Sequence, residues 1–324
     1  MENYVQELQK KKWGVFHHYM SHCFLDPNSD RNMEKGVPTW NECVEMFDTD
    51  RLAYSLHKMG AGYYFITIMQ VYKYMIAPNA TYDKIAGIKP GEACATRDLP
   101  LDLYKSLSKY GIDLCLYYTG DGPCRCEFSE NFGYVSKPPY DQQVTRDFVE
   151  KWASVLQEYS ERYGDKVKAW WFDGVLRNQG YNDELIGILD KAAKAGNPRA
   201  ACAFNNGYKS RFKQNYINEE FTAGEINYMG LTPSMKRDAD GNVIAYESGT
   251  AVPHALTPLG YQYGGEEWEH YGKPGVRYTK EFVIDYINTM NKMGGFVTLD
   301  MFAHIDGSLD PEQEGFMRYV GNHL

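Results

Sequence analysis

The stretch Ala169-Trp170-Trp171-Phe172-Asp173-Gly174 is the most informative part of this 324-residue chain. It is a short apolar and aromatic run that ends in a carboxylate and a glycine. Such a run, bounded by turn residues, predicts a strand buried on both faces, as in a parallel sheet covered by helices. The carboxylate then lies where the strand leaves the core, which is where such sheets carry functional groups.

Similar runs recur along the chain, with amphipathic helical stretches between them. This alternation predicts a parallel sheet wrapped by helices. The eight predicted strands are Trp13–His18, Tyr63–Met69, Asp113–Tyr118, Val167–Asp173, Ala200–Asn205, Phe221–Ile226, Ala251–Leu256 and Phe296–Met301. The predicted helices include Asp50–Met59, Leu101–Lys109, Gln142–Tyr163, Asp183–Ala195 and Thr279–Met293.

Eight strands of this kind predict the α/β class and a (β/α)8 TIM-like barrel. No linker rich in Ser, Gly or Pro divides the chain, so we predict a single domain over residues 1–324. An open doubly wound sheet is the alternative, but no glycine-rich phosphate fingerprint follows the first strand. Long loops are predicted at Asp26–Val44, Glu127–Tyr140 and Lys236–Gly249.

The composition indicates the kind of partner. A formal charge of -9 and a pI near 5.4 argue against a nucleic acid, because phosphate binding relies on clustered Lys and Arg. Aromatic residues make up 15% of the chain, with 27 Tyr and 6 Trp. Their flat apolar faces and polar tips suit stacking on sugar rings, which favours a carbohydrate substrate, although the same residues also serve as core.

The seven cysteines form no even framework, so reduced thiols are the simpler interpretation. Cys124 and Cys126 form a C-x-C pair, but no second pair or His cluster lies at zinc-like spacing, and we predict no metal and no cofactor. The amino-terminal residues lack the apolar segment of a signal peptide, and no apolar run has membrane-spanning length. These features predict a cytoplasmic protein without a membrane partner, unless a leader has been removed; a homo-oligomer stays open.

Polar residues follow many of the predicted strands, at the edge where barrel enzymes place their active sites. Asp173 is the candidate nucleophile, and its alternative role is to cap the next turn. Glycoside cleavage needs a second carboxyl group. Glu225 is the preferred partner because a strand end fixes geometry better than a loop does. The other candidates for this second group are Glu219, Glu220, Glu266, Glu267 and Glu269.

Several segments occur in the same order as in one known family. The segments are 13–20 (Trp-Gly-Val-Phe-His-His-Tyr-Met), 47–48, 60–63, 97–99, 117–121, 171–174 (Trp-Phe-Asp-Gly), 294–295 and 306–307. In this order the chain resembles the α-L-fucosidases of glycoside hydrolase family 29, whose barrel opens with a Phe-Gly-x-Phe-x-His-Trp-Gly type segment. The resemblance implies a retaining exo-glycosidase with Asp173 as nucleophile, His18 on the fucose ring and a later Glu as acid/base.

One segment departs from the family pattern. The Lys-His-His-Asp-Gly-Phe segment, which supplies sugar-binding histidines, is here Met69-Gln70-Val71-Tyr72-Lys73-Tyr74, and the Trp-Pro-Ser-type continuation is also replaced. The chain therefore resembles a divergent branch whose sugar stays open. We expect the pocket to be lined by His18, Gln70, Tyr74, Arg97, Tyr118, Asp121, Trp171 and Asn206.

Two other functions remain open at this point. The scaffold could bind carbohydrate without cleaving it, because the histidine pair is missing. It could also act as a sugar lyase or isomerase that uses its carboxylates as bases with a divalent metal, although the sequence shows no compact ligand cluster.

Overall fold

Strands and helices alternate along the computed structural model, which describes residues 3–25, 39–134, 144–207, 212–231, 236–237, 239, 243–245, 249–260 and 273–324. Within these residues the strands are β1 Trp13–His17, β2 Tyr63–Thr67, β3 Asp113–Thr119, β4 Val167–Asp173, β5 Ala201–Phe204, β6 Lys236–Arg237, β7 Val243–Ala245, β8 His254–Pro258 and β9 Phe296–Asp300. The α-helices are α1 Val5–Lys11, α2 Ser21–Phe24, α3 Trp40–Met46, α4 Thr49–Met59, α5 Ala80–Ala86, α6 Leu99–Ser108, α7 Arg146–Tyr163, α8 Asp183–Ala193, α9 Lys280–Lys292 and α10 Pro311–Gly321.

Seven parallel strands form one curled sheet in the order β5-β4-β3-β2-β1-β9-β8. This is the α/β, TIM-like arrangement that the sequence predicts. Most predicted strands and helices are found with ends shifted by a few residues. Among the strands the largest shift is in the seventh, predicted at Ala251–Leu256 and observed as β8 at His254–Pro258, and the helix predicted at Gln142–Tyr163 is observed as α7 at Arg146–Tyr163. Within the long loop predicted at Lys236–Gly249, the short strands β6 and β7 pair antiparallel.

The alternation of side chains along the strands separates two apolar cores. Residues such as Phe16, Phe65, Tyr117 and Trp171 point into the barrel and pack together. Their sequence neighbours point outwards and form the larger core beneath the helices. Because successive side chains on a strand face opposite sides, one residue of register decides which side chains reach the pocket.

The predicted sixth strand, Phe221–Ile226, is wrong as a regular strand. Single bridges pair Phe221 with Val252 and Glu225 with Leu256, and no continuous ladder forms over this segment. The segment still joins the two edges of the sheet. The Glu220 amide donates to the Cys202 carbonyl at the β5 edge, and the Val252 amide donates to the Glu220 carbonyl. We call residues 219–226 the closing segment.

Side-chain oxygens of two acidic residues in the closing segment accept hydrogen bonds from backbone amides at the edge of β5, as the carbonyls of a neighbouring strand would. The Cys202 amide donates to Glu220 Oε2 at 2.8 Å, and the Phe204 amide donates to Glu219 Oε2 at 3.1 Å. Glu219 is buried, and its Oε1 also accepts the Asn215 amide at 2.7 Å. Buried N–H groups at an unpaired strand edge would otherwise lack acceptors, so these acids satisfy the β5 edge.

The barrel interior holds the closing segment from the other side. His254 Nδ1 lies 3.0 Å and 3.2 Å from the carbonyl oxygens of Thr222 and Ala223, so this nitrogen carries the proton. Burial lowers the pKa of His254 to about 3, and the ring stays neutral. Gly224 has a φ of +61°, and a side chain there would collide with the His254 carbonyl. Glycine therefore lets the segment approach β8 just before Glu225.

No described helix is long and apolar enough to cross a membrane.

We predict that Glu219→Gln destabilises the fold although the side chain keeps its size. Glutamine has a single acceptor oxygen, so one of the two amides bound by Glu219 would face an NH2 group. A buried donor without an acceptor costs about 1–3 kcal/mol in the free energy of unfolding. Chemical denaturation measures this loss, with the exposed Glu161→Gln as the control expected within about 0.5 kcal/mol of the parent. Equal stability of the two variants would contradict the role of the closing segment.

Candidate active site

Asp173 lies at the end of β4, where its side chain follows Trp171 on the inner face of the barrel. The loop after β3 fixes its backbone, because the Gly120 amide donates to the Asp173 carbonyl at 2.5 Å. Gly174 has a φ of +64° and turns the chain away from the strand. The carboxylate therefore stands at the carboxyl edge of the sheet with its backbone held on one side by β3.

Three side chains donate hydrogen bonds to the Asp173 carboxylate. Tyr117 Oη lies 2.9 Å and Gln70 Nε2 lies 3.2 Å from Oδ2, while Asn205 Nδ2 lies 2.8 Å from Oδ1. The donors come from β3, from the loop after β2 and from the residue after β5. Burial and the nearby Asp173 charge raise the pKa of Tyr117 well above its usual value, so this tyrosine stays a neutral donor.

Glu225 is tied to Asp173 through the same amide group. Asn205 Nδ2 also donates to Glu225 Oε2, at 2.6 Å. Because both acceptors share one nitrogen, the two carboxylate oxygens lie within about 5.4 Å of each other. Retaining glycosidases hold their two carboxyl groups about 5–5.5 Å apart. The structure therefore brings together the two carboxylates that the sequence singled out.

Buried aromatic rings and a histidine lie beside this pair of carboxylates. Trp171 stacks on Tyr117 with ring centroids 5.5 Å apart, and its Nε1 donates to the Ala223 carbonyl of the closing segment. His18 lies beside Phe16 and Tyr117, with centroid distances of 4.4 Å and 6.0 Å. Its Nδ1 lies 2.9 Å from Oδ1 of Asp300 at the end of β9. The neighbouring His17 instead points outwards and bonds Tyr64.

Asp121 approaches Asp173 from the side of the β3 loop. Its carboxyl group lies where a side chain on residue 174 would be, so only glycine fits at that position. Burial and the Asp173 charge raise the pKa of Asp121 to about 8, although Arg125 acts in the opposite direction. Asp121 is therefore mainly protonated near neutral pH.

Four residues expected in the pocket lie elsewhere. Tyr118 points outwards, and its hydroxyl donates to the Trp152 carbonyl. Arg97 bonds Asp102 and the carbonyls of Val44 and Phe47 at the end of α3. Tyr74 packs towards Trp40, and Asn206 accepts the Arg177 amide. In each case the structure shows contacts with the surrounding scaffold, and the described contacts do not join these side chains to Asp173.

The structure also separates the other candidate acids. Glu219 and Glu220 bind backbone amides of β5, and Glu220 also pairs with Lys194 at 2.7 Å. Glu266, Glu267 and Glu269 lie outside the described residues. Among the described acidic residues considered as partners, Glu225 alone shares a hydrogen-bond donor with Asp173.

Tyr117, Asn205 and Asp300 are among the polar residues that follow the predicted strands, but they were not among the residues expected to line the pocket. Strand parity was the available signal. Tyr117 pairs in register with Trp171, and both lie on the inner face, so Tyr117 rather than Tyr118 points towards Asp173. The same two-residue period carries Ala201 and Ala203 to Asn205, rather than to Asn206.

A cluster of Asp190, Cys202 and Glu220 has side-chain atoms close enough to hold a metal ion. The Lys194 ammonium lies 2.7 Å from both carboxylates and already supplies the positive charge. Because Lys194 stands between these acids, the cluster is an ion-pair network on the outer face of β5.

Comparison with known proteins gives the family and supports the fold. The family model described as Alpha-L-fucosidase matches residues 1–324. A comparison with curated protein sequences finds no match. Two similar solved structures are fucosidases. A bacterial fucosidase with an iminocyclitol inhibitor shares 17% identity at a TM-score of 0.65, over 100% of this chain and 74% of its own. A family 29 alpha-L-fucosidase from Bacteroides thetaiotaomicron shares 17% at 0.64, over 100% and 73%.

A third similar structure is an endo-fucoidan hydrolase of glycoside hydrolase family 107. It shares 15% identity at a TM-score of 0.72, over 99% of this chain and 54% of that chain. Structural likeness at these identities supports the barrel fold, and the family assignment rests on the full-length match of the sequence to the family model. The chain belongs to the alpha-L-fucosidase family and is a glycoside hydrolase.

Proposed function

We propose that this protein is a retaining exo-glycosidase that removes a terminal sugar, with an α-L-fucoside as the first substrate to test. Asp173 attacks the anomeric carbon, and Glu225 protonates the leaving oxygen and later activates water. The observation that carries this proposal is the single Asn205 amide that bonds both carboxylates.

The spacing of the two groups supports retention over inversion. Inverting enzymes leave about 6.5–9.5 Å between their carboxyl groups to admit a water molecule. The shared Asn205 nitrogen holds one oxygen of Asp173 and one oxygen of Glu225 within about 5.4 Å of each other, which favours the shorter spacing. A covalent intermediate on Asp173 is the mechanism that fits such a short gap.

The donors around Asp173 hold it ready for attack. Tyr117 and Gln70 bond one carboxylate oxygen, and Asn205 bonds the other, so the group has a fixed rotamer. Fixed geometry lowers the cost of reaching a productive approach to the substrate. Gln70 stands in the segment where the family pattern has sugar-binding histidines, so part of the contact with the sugar is replaced by a contact with the nucleophile.

The sugar-binding wall follows from the same layer of side chains. Trp171 and Tyr117 stack on each other beside Asp173, both buried, and His18 lies next to Tyr117. Aromatic rings and an imidazole suit the apolar face and the hydroxyl groups of a sugar, respectively. Because Gln70 replaces a histidine, we expect the preference among sugars to differ from that of relatives that keep the histidine pair.

We predict that Asp173→Asn and Glu225→Gln both cut turnover of a reactive aryl glycoside, but differ in rescue by azide. Loss of the nucleophile removes the covalent route. Loss of the acid/base residue lowers the rate about 100- to 10,000-fold. Azide should restore Glu225→Gln by attacking the intermediate without base assistance, and the glycosyl azide should keep the anomeric configuration of the substrate. Rates and product configuration are read by absorbance and proton NMR.

Matched variants separate the outcomes of this experiment. Glu184→Gln, on an exposed side chain of α8, should keep full activity. If azide restores the activity of Glu266→Gln, Glu267→Gln or Glu269→Gln but not that of Glu225→Gln, the acid/base residue is not Glu225. Inverted product, or loss of activity on chelation, would overturn the retaining mechanism. Release of oligosaccharides rather than a single sugar from a polymer would overturn the exo assignment.

The proton on Asp121 makes stability depend on pH. Its pKa is about 8 in the folded protein and near 3.8 when unfolded, so the folded state binds more protons between these values. Stability from this group is present below the lower value and is lost as pH rises through the upper value. Deprotonation would place a second negative charge beside Asp173.

We predict that Asp121→Asn removes this pH penalty. Between pH 5 and pH 8 the wild type should lose stability relative to the variant, by at most about 1.4 kcal/mol for each pH unit. Urea unfolding at several pH values measures the difference. The exposed Asp165→Asn should run parallel to the wild type, and a parallel curve for Asp121→Asn as well would show that Asp121 is ionised in the folded protein.

A further inference from the structure

Asp300 is a fully buried acid that ends β9, on the opposite side of β1 from β2. Its Oδ1 lies 2.9 Å from His18 Nδ1, and both side chains are almost completely removed from solvent. The strand register fixes this contact, because Phe16 pairs with Asp300 and His18 follows two residues later on the same face. The pair therefore belongs to the barrel scaffold rather than to a movable loop.

The second carboxylate oxygen indicates that Asp300 lowers the stability of the folded protein. Oδ2 of Asp300 is buried and has no hydrogen-bond partner within the described part of the chain. An unsatisfied buried oxygen destabilises the fold, and an apolar residue of similar volume at such a place is often neutral or stabilising. Stability alone therefore gives no reason for aspartate here, and its one hydrogen bond is directed at a pocket residue.

We propose that Asp300 is a positioning residue that fixes the tautomer and ring orientation of His18 for contact with a hydroxyl group of the sugar. The inference rests on the proposed function, in which His18 faces the substrate. The carboxylate accepts the Nδ1 proton, so in the neutral ring Nε2 is the hydrogen-bond acceptor. The Phe16 and Tyr117 rings, which also contact each other, both pack against the His18 ring and restrict its rotation.

Tyr117 connects the pair of His18 and Asp300 to Asp173. Its ring contacts His18, and its hydroxyl donates to Asp173. A sugar hydroxyl that bonds Nε2 of His18 is therefore held in a fixed position relative to Tyr117, whose hydroxyl also orients Asp173. The acceptor form of Nε2 selects a sugar that presents a hydroxyl proton there, so Asp300 acts on specificity through His18.

Kinetics of a variant set tests the positioning role. Asp300→Asn keeps an oxygen that accepts the Nδ1 proton, and its kcat/KM should stay within about fivefold of the parent. Asp300→Leu should lose about 10- to 100-fold, the range found when carboxylate partners of metal-bound histidines are removed. The double variant His18→Ala with Asp300→Leu should be no slower than His18→Ala alone, because the two residues act as a unit. Additive losses would overturn the proposal.

A matched control separates positioning from the loss of any buried acid. Asp83 is also buried and also has an oxygen without a described partner, but it lies on α5 away from the pocket. Asp83→Leu should change the free energy of unfolding. The loss of kcat/KM caused by His18→Ala should be the same with and without Asp83→Leu. Coupling of the same size between Asp83 and His18 would show that Asp300 acts only through general stability.

Nitrogen-15 NMR of the histidine rings tests the tautomer without any substrate. The wild type and Asp300→Asn should show a protonated Nδ1 at His18, and Asp300→Leu should lose this preference. A His18 ring protonated only at Nε2 in the wild type would overturn the proposal. This readout stands even if the protein cleaves no glycoside, so failure of the positioning role and failure of the proposed function are distinguishable.

Discussion

The amide group of Asn205 donates one hydrogen bond to Asp173 and another to Glu225, and the pocket depends on this shared donor. One carboxylate ends a regular strand, and the other belongs to the irregular closing segment. A planar NH2 group has two protons in fixed directions, so it sets both the distance and the mutual orientation of its acceptors. Two like charges at this separation repel each other, and the shared donor offsets part of that repulsion.

The closing segment meets this constraint through unusual hydrogen bonds. Glu219 and Glu220 satisfy amides at the β5 edge with side-chain oxygens, while His254 and Trp171 bond carbonyls of the segment from inside the barrel. Release from a regular ladder lets Gly224 approach β8 closely and direct Glu225 towards Asn205. Trp171 stacks on Tyr117 beside Asp173 and also bonds the closing segment through the Ala223 carbonyl. Substitutions that weaken the hydrogen bonds of the closing segment should therefore also displace the residues around Asp173.

The barrel and half of its site were predictable from the sequence for physical reasons. Apolar runs with helical spacers indicate parallel strands, and functional groups collect at their carboxyl ends, which led to Asp173, Glu225, Gln70 and His18. Tyr117 and Asn205 were within reach, because both follow from counting residues in twos from an inward-facing neighbour. Tyr118 and Asn206 were one residue out of phase, and the period of two then turned each side chain away from the pocket.

Other features could not be read from local pattern. The loss of a regular sixth strand depends on side chains that replace carbonyls across the sheet edge, and no periodicity records such an exchange. The contact between His18 and Asp300 joins residues at opposite ends of the chain through strand register. An arginine such as Arg97 is a common ligand-binding residue. Its guanidinium instead bonds the carbonyls of Val44 and Phe47, which are distant in sequence, so the sequence alone does not show this contact.

We propose that Asp173 forms a covalent bond with the sugar and that Glu225 is the acid/base residue beside it. A 2-deoxy-2-fluoro-fucosyl fluoride slows both steps and lets a glycosyl intermediate accumulate on a retaining enzyme. Mass spectrometry of the intact protein, followed by peptide mapping, should show one adduct, located on Asp173, that persists longer in Glu225→Gln than in the wild type. An adduct on another carboxylate, or hydrolysis of α-L-fucosides by an enzyme that never carries an adduct, would contradict it.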